Sequence, residues 1–378
     1  MSTHSPAGVT VGAAAMLASL LCCGNQPKPA VAARHPDAPL PAVGMVFRRY
    51  VDTTRRNWDE DGWRPLTTAI WYPTSTNGTP DTIWIGAPNR HEFMSGTALM
   101  GAPLDSGPTR HPLIVLSHGT GGSALQLMWL GQQLAAHGFI VAAVNHHGNT
   151  GAEPKATPQG FVLWWERARD MSAVISAVLA DSAFRNRIDT TRIGAAGFSL
   201  GGYTMIELAG GRTDLGAFAE QCRSKPNPTL CDAPPEYPKL LADLAALGRN
   251  QRFVTSLARS GDSYRDRRIK AVFAIAPAQG GAFTAAGLSD IHIPVSIVVG
   301  DSDLIAPAAS NAAYFAARIA GATLQTIPLA GHYTFLSPCT ANGVEDIPLL
   351  CHDPAGANRI SIHRQVADSA AAFFDRHW

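Results

Sequence analysis

The sequence predicts an α/β protein with a mostly parallel central sheet flanked by helices, interrupted by one insertion that follows a turn carrying a serine. Two observations carry this. From Leu113 onward, short apolar runs alternate with longer helical stretches, the pattern of strand–helix–strand units with right-handed crossovers and parallel pairing. Within that alternation Gly197-Phe198-Ser199-Leu200-Gly201 separates the strand-like run Arg192 to Ala196 from a helix-like stretch, which is the G-x-S-x-G pattern in its strand-to-helix context.

The elements follow in order. Residues 1–32 read as a signal peptide: Val9 to Leu21 is apolar but too short to span a bilayer, and Ala30-Val31-Ala32 resembles an A-x-A cleavage site. Export to the periplasm or beyond is therefore expected. No Lys or Arg precedes Val9. Cys22 offers lipid attachment instead, although Leu21 stands where such signals place a small residue. Residues 33–42, rich in Pro and Ala, read as a linker, and 43–378 as one catalytic domain. Val43 to Tyr50 and Thr67 to Tyr72 have the β-branched and aromatic content of an antiparallel pair, and residues 73–111 look like loop. Next come a strand Leu113 to Leu116, a helix at 124–137, a strand Phe139 to Val144, a helix at 163–181, the strand Arg192 to Ala196 and a helix from Leu200. The alternation stops after Gly210. Residues 211–268 hold five prolines between Pro226 and Pro238, a cysteine pair and a helical stretch Leu240 to Leu247. An insertion at this point is expected to cap the carboxyl ends of the strands, where an open α/β sheet binds its ligand. Strands Ala271 to Ala276, Val295 to Val299 and Thr323 to Ile327, with helices at 308–319 and 360–374, complete the sheet and its cover.

Composition narrows the function class. The chain has 378 residues, 46% of them hydrophobic and 16% charged, with 30 Lys plus Arg against 29 Asp plus Glu and a net charge of +1. So balanced a chain gives no electrostatic reason for nucleic acid or an anionic membrane surface as partner, and suits a neutral substrate. No transmembrane segment is expected, and nothing specifies an oligomeric state. Beyond the leader, Cys222 and Cys231 form one local pair and Cys339 and Cys351 another. Four cysteines allow three connectivities, of which closing two short loops is the simplest, and disulfides fit export. Zinc spacing is absent, so no metal is expected.

Ser199 is a weak nucleophile unless a base lies within hydrogen-bond reach and a third group orients that base. His332, in Ala330-Gly331-His332-Tyr333 after the last strand, is the candidate base. Asp303 is the candidate orienting carboxylate, preferred over Asp301 because it sits further into its loop. An oxyanion needs two preorganised N–H donors. Leu200 supplies one by following the nucleophile, and Thr120 supplies the other from the loop Ser117-His118-Gly119-Thr120-Gly121-Gly122. That loop is not a phosphate cradle, since G-x-x-x-x-G-K-[ST] is absent. Asn145-His146-His147-Gly148-Asn149 reads as a structural loop near the pocket. Of Trp164 and Trp165, one is expected to pack on the sheet and the other to line the pocket. Tyr333 and Phe335 either shape the pocket or anchor the histidine loop.

These residues support a resemblance. His118-Gly119-Thr120-Gly121, the run Leu134 to Val144, the elbow Gly197 to Gly202 and Ala330 to Phe335 resemble the α/β-hydrolase superfamily, and within it the bacterial predicted dienelactone hydrolase branch and the platelet-activating factor acetylhydrolases. The resemblance, over about residues 43–376, implies the α/β-hydrolase fold and a serine hydrolase of carboxylic esters without metal or organic cofactor. It carries over Ser199, Asp303, His332 and the Thr120 and Leu200 amides by position. Two departures stand out. Dienelactone hydrolases use a cysteine nucleophile where this chain has Ser199. Animal platelet-activating factor acetylhydrolases place the acid after the preceding strand, where this chain reads Ala276-Pro277-Ala278-Gln279. The implied substrate is a small or aromatic ester, with a polyester or a lipid as alternatives. A non-catalytic binding module of this fold would lack part of the triad, and every part has a candidate here.

Overall fold

The computed structural model describes residues 1–2, 41–107, 109–224 and 231–378. The leader, Cys22 and nearly all of the linker lie outside the described residues. Leu40–Trp378 forms one compact unit. Its ten strands are β1 (Val43–Arg56), β2 (Trp63–Pro73), β3 (Asp81–Ala87), β4 (Arg90–Met100), β5 (His111–Ser117), β6 (Ile140–Val144), β7 (Ile188–Phe198), β8 (Ile269–Ile275), β9 (Val295–Gly300) and β10 (Thr323–Ile327). They form one sheet in the order β10-β9-β8-β7-β5-β6-β2-β1-β4-β3. From β6 across to β10 every neighbour is parallel, while β1 with β2 and β2 with β6 are antiparallel.

Strands β5, β6 and β9 and the carboxyl-terminal parts of β7 and β8 are buried on both faces, which is why they read as largely apolar runs, whereas the edge strand β10 is mostly exposed. Along β5, Leu113 and Val115 enter one core, and Ile114 and Leu116 enter the core on the opposite face. Helices α1 (Met128–Ala136) and α9 (Arg359–Arg376) cover the second face. Helices α3 (Glu166–Ala180) and α4 (Leu200–Ala209) cover the first. Between α4 and β8 stand α5 (Leu215–Ser224), α6 (Leu240–Leu247) and α7 (Gln251–Leu257), the region expected to form a cap. Cys222 is bonded to Cys231, and Cys339 to Cys351.

Three local expectations need correction. Residues 73–111 are not simply loop, because they contain the β3–β4 hairpin. Its outer strand buries little, with only Ile83 and Ile85 half covered, so its composition carries no strand pattern. Tertiary contact specifies it instead: Met94 N–H donates to Pro338 O at 2.9 Å, and Arg90 pairs with Asp346 at 2.6 Å. The helix expected at 163–181 is present as α3 but begins three residues later, after a separate short α2 (Pro158–Val162), with both tryptophans between the two. The helix expected at 308–319 contracts to a turn at Ala308–Ser310 and α8 (Ala312–Ala316), because Asn311 leaves helical geometry at φ −130° and ψ −91°. Its amide oxygen accepts Gly280 N–H at 2.9 Å instead.

Candidate active site

Ser199 is held at the tip of a strained turn. β7 ends at Phe198 and α4 begins at Leu200, leaving Ser199 at φ 55° and ψ −116°. For a residue with a side chain, such backbone costs on the order of 1–3 kcal/mol and persists only where the surroundings enforce it. The glycines do so by close approach: a Cβ on Gly197 would stand 2.4 Å from Gly201 O, and one on Gly201 2.0 Å from Ser117 O. Ser199 N–H also donates to Ile275 O at 2.9 Å.

His332 bridges the serine and Asp303. Its Nε2 lies 2.9 Å from Ser199 Oγ and its Nδ1 lies 2.7 Å from Asp303 Oδ2. With Nδ1–H donating to the carboxylate, Nε2 is left to accept the serine hydroxyl. The other Asp303 oxygen accepts the amides of Ile305 at 3.0 Å and Ala306 at 2.7 Å, which fixes the carboxylate before substrate arrives. All three residues are buried. Asp301 is exposed and accepts the Ser302 hydroxyl, so it is not the histidine's partner. The histidine turn is tied down by Gly331 N–H donating to Thr334 Oγ1 at 3.0 Å and by Thr334 donating to Asp353 at 2.7 Å. Phe335 is fully buried in the core, whereas Tyr333 lines the pocket.

The amides of Thr120 and Leu200 flank the serine and have no acceptor among the described residues. Neighbouring backbone groups of the Gly119–Gly122 loop, one donor and two acceptors, are committed to the loop after β6. Gly121 N–H donates to Asn149 Oδ1 at 2.6 Å, Thr150 Oγ1 donates to Gly122 O at 2.8 Å, and Gly151 N–H donates to Gly121 O at 2.9 Å. The loop after β6 thus braces the loop after β5. The sequence reading placed this segment near the pocket because of its histidines and missed Asn149, whose only signal was its position after a parallel strand.

Those histidines are structural. His118 Nδ1–H donates to Gly119 O at 2.7 Å while its Nε2 accepts His146 N–H at 3.1 Å, and burial pushes its pKa well down. His146, pushed down to about 3 chiefly by burial, sits between the Ser117 hydroxyl at 2.9 Å and Asp170 at 3.0 Å. Burial opposes ionisation of Asp170, but the guanidinium groups of Arg64 and Arg55 outweigh it and hold the carboxyl well below the usual range. His147 contacts Glu153 at 3.0 Å and accepts Trp58 N–H at 3.1 Å. This ionic cluster beneath the β5 loop carried no sequence motif.

Above Ser199 lies a cavity of about 180 Å³. Its apolar wall includes Phe161, Trp164, Tyr333 and Leu350, and the insertion contributes Asp232, Pro235 and Glu236. Trp165 is fully buried and donates its indole N–H to Ser256.

A solved structure of a ferulic acid esterase from Streptomyces cinnamoneus superposes with a TM-score of 0.59, covering 91% of this chain and 92% of that one at 21% identity. The chain has the α/β-hydrolase fold. Within it, residues 93–229 match the family model described as PETase, PET hydrolase-like. Cutinase est2 of Thermobifida alba is 37% identical over 106 residues, 28% of this chain and 32% of the cutinase. Platelet-activating factor acetylhydrolase of Cavia porcellus is 34% identical over 106 residues, 22% of this chain and 24% of that enzyme. The chain therefore spans about a third of the length of the cutinases it matches. The matched 93–229 stretch includes the β5 loop and the elbow, and the Asp303 and His332 loops lie beyond it.

Proposed function

We propose that this α/β-hydrolase is a serine carboxylic ester hydrolase working through an acyl-enzyme. The observation that carries the reading is the unbroken hydrogen-bond chain from Ser199 Oγ through His332 to Asp303. In the proposed reaction His332 Nε2 takes the serine proton as Oγ attacks the ester carbonyl. The amides of Thr120 and Leu200 receive the oxyanion, and loss of one such donor typically costs about 10²–10³ in kcat. His332 then protonates the leaving alcohol, and water, activated by the same imidazole, releases the acid.

The cavity wall supports a small or aromatic ester, since Phe161, Trp164 and Tyr333 offer ring surface and the insertion 211–268 acts as a cap. A polyester is the second reading. It is favoured by the likeness to cutinases and by Leu304 and Leu349, which stand 81% and 57% exposed beside the pocket residues Ile305 and Leu350. We also read residues 43–378 as one catalytic domain, and residues 1–32 as an export signal. The two disulfides support an oxidising compartment.

The test is hydrolysis of p-nitrophenyl esters from acetate to palmitate, with a soluble aromatic diester, a polyester film and a fluorophosphonate probe. Ser199→Ala should abolish labelling and lower kcat by at least about 10⁴-fold. Wild-type protein that neither turns over esters nor takes the label would be a binding module, and the proposal would fall.

A further inference from the structure

We infer that the cap gives this site a charge preference: Asp232 and Glu236 favour esters bearing a cationic group and disfavour esters bearing a free carboxylate. The inference rests on the ester hydrolase reading. Both side chains line the same cavity as Ser199 and His332, and among the described residues no lysine or arginine does. Glu236 is set against the oxyanion loop itself. Gly121 has φ +62°, and the Cβ it lacks would meet Glu236 Cγ at 2.9 Å and Cβ at 3.0 Å. The missing side chain is what admits the glutamate there.

The segment carrying the two acids is held by the Cys222–Cys231 bond before Asp232 and by Tyr237 after Glu236. Tyr237 packs edge-on against Phe161, with ring centres 5.1 Å apart, and its hydroxyl donates to Asp243 at 2.7 Å. Neither Asp232 nor Glu236 pairs with a lysine or arginine among the described residues. Burial pushes the Glu236 carboxyl above its ordinary value while nearby His332 favours its charged form, and a cation entering the cavity favours that form further. An incoming cation meets two carboxylates and the negative ring faces of Phe161, Trp164 and Tyr333, an arrangement suited to ammonium groups. An incoming carboxylate meets like charge in a partly desolvated space, where Coulomb repulsion is far stronger than in bulk water. The same field acts on the reaction. Negative charge develops at the Thr120 and Leu200 amides, next to Glu236, and a cationic substituent offsets that repulsion in the transition state.

The experiment uses three aryl acetates of similar shape, with trimethylammonio, tert-butyl or carboxylate at the meta position. They are assayed at pH 8, with each rate normalised to the ester's own alkaline hydrolysis. The wild-type protein should show kcat/KM at least about tenfold higher for the cationic than for the neutral ester, and about tenfold lower for the anionic one. Raising sodium chloride from 20 mM to 0.5 M should compress both ratios, because the interactions are screened. In the double variant Glu236→Gln, Asp232→Asn both ratios should fall to within about threefold of unity. Only ratios are read, so a uniform loss of activity cancels, and the salt series needs no variant at all. Turnover of the neutral ester without charge preference, or a preference that survives the double substitution, overturns the inference alone. A protein that cleaves none of the esters and leaves the fluorophosphonate unreacted overturns the hydrolase reading beneath it.

Discussion

Replacing Asn149 with alanine tests whether the oxyanion loop is held by its neighbour. Asn149 is fully buried; its Oδ1 accepts Gly121 N–H at 2.6 Å and its Nδ2–H donates to Gly160 O at 3.1 Å. Removing the side chain leaves a buried donor and a buried acceptor unpaired. Each costs about 1–3 kcal/mol, so the protein should lose roughly 2–6 kcal/mol of stability. That is a large part of a typical total of about 5–15 kcal/mol, but it leaves a folded protein at 25 °C. The catalytic effect arises one residue away, where Thr120 offers its amide. Outright loss of such a donor costs about 10²–10³ in kcat, and loosening the loop should cost about 10–100-fold. KM should barely move, because the donor matters most once the oxyanion forms. Steady-state kinetics on p-nitrophenyl acetate, with circular dichroism to confirm folding, measure both parameters. A folded Asn149→Ala protein whose kcat stays within about twofold of wild type would refute the bracing role.

Further predictions test other parts of the site and its support. Asp303→Asn should lower kcat by roughly 10⁴ by stabilising the wrong imidazole tautomer, whereas exposed Asp301→Asn should leave it within about twofold; reversal of this order in kinetic assays would assign the acid to Asp301. Glu207 is fully buried beneath the Tyr203 hydroxyl, and burial pushes its carboxyl up to about 8. Its folded-state pKa lies above the ordinary value, so the folded protein holds an extra proton between about pH 4.5 and 8 and loses stability as pH rises through that window. Glu207→Gln should therefore gain on wild type by a few kcal/mol between pH 5 and pH 8, read by urea denaturation, and a pH-independent difference would exclude a protonated Glu207. The Cys339–Cys351 bond closes a short loop of twelve residues' separation. The double Cys→Ser variant should lose about 2–4 kcal/mol, visible as a fall in thermal midpoint.

The parts of the fold legible in the sequence are those specified locally or by burial on both faces. Leu113 to Leu116 and Val295 to Val299 announce parallel strands because every side chain but Ser296 is apolar. The elbow is legible because only glycine tolerates the approaches at 197 and 201. Ser199, His332 and Asp303 could be placed from position after strand ends, and the structure brings them into one hydrogen-bonded chain. What escaped the sequence depends on distant partners. The β3–β4 hairpin is defined by the Pro338 segment it pairs with, and Asp170 by arginines on β1 and β2 that no spacing rule connects to it. Asn149 escaped for the same reason: an asparagine in a glycine-containing loop reads as turn chemistry until the amide it accepts is known.

Asp303, His332, Ser199 and the amides of Thr120 and Leu200 all stand on loops at the ends of sheet strands or at the start of a helix packed on the sheet, and none comes from residues 211–268. The proposed reacting groups and the insertion that lines the cavity beside them are thus written in separate stretches of chain. A substitution at a cavity-lining position of the insertion, such as Asp232 or Glu236, leaves each of those groups in place. Redesign of what this protein accepts can begin with a contiguous cassette, with the elbow and the β6 loop left as they are.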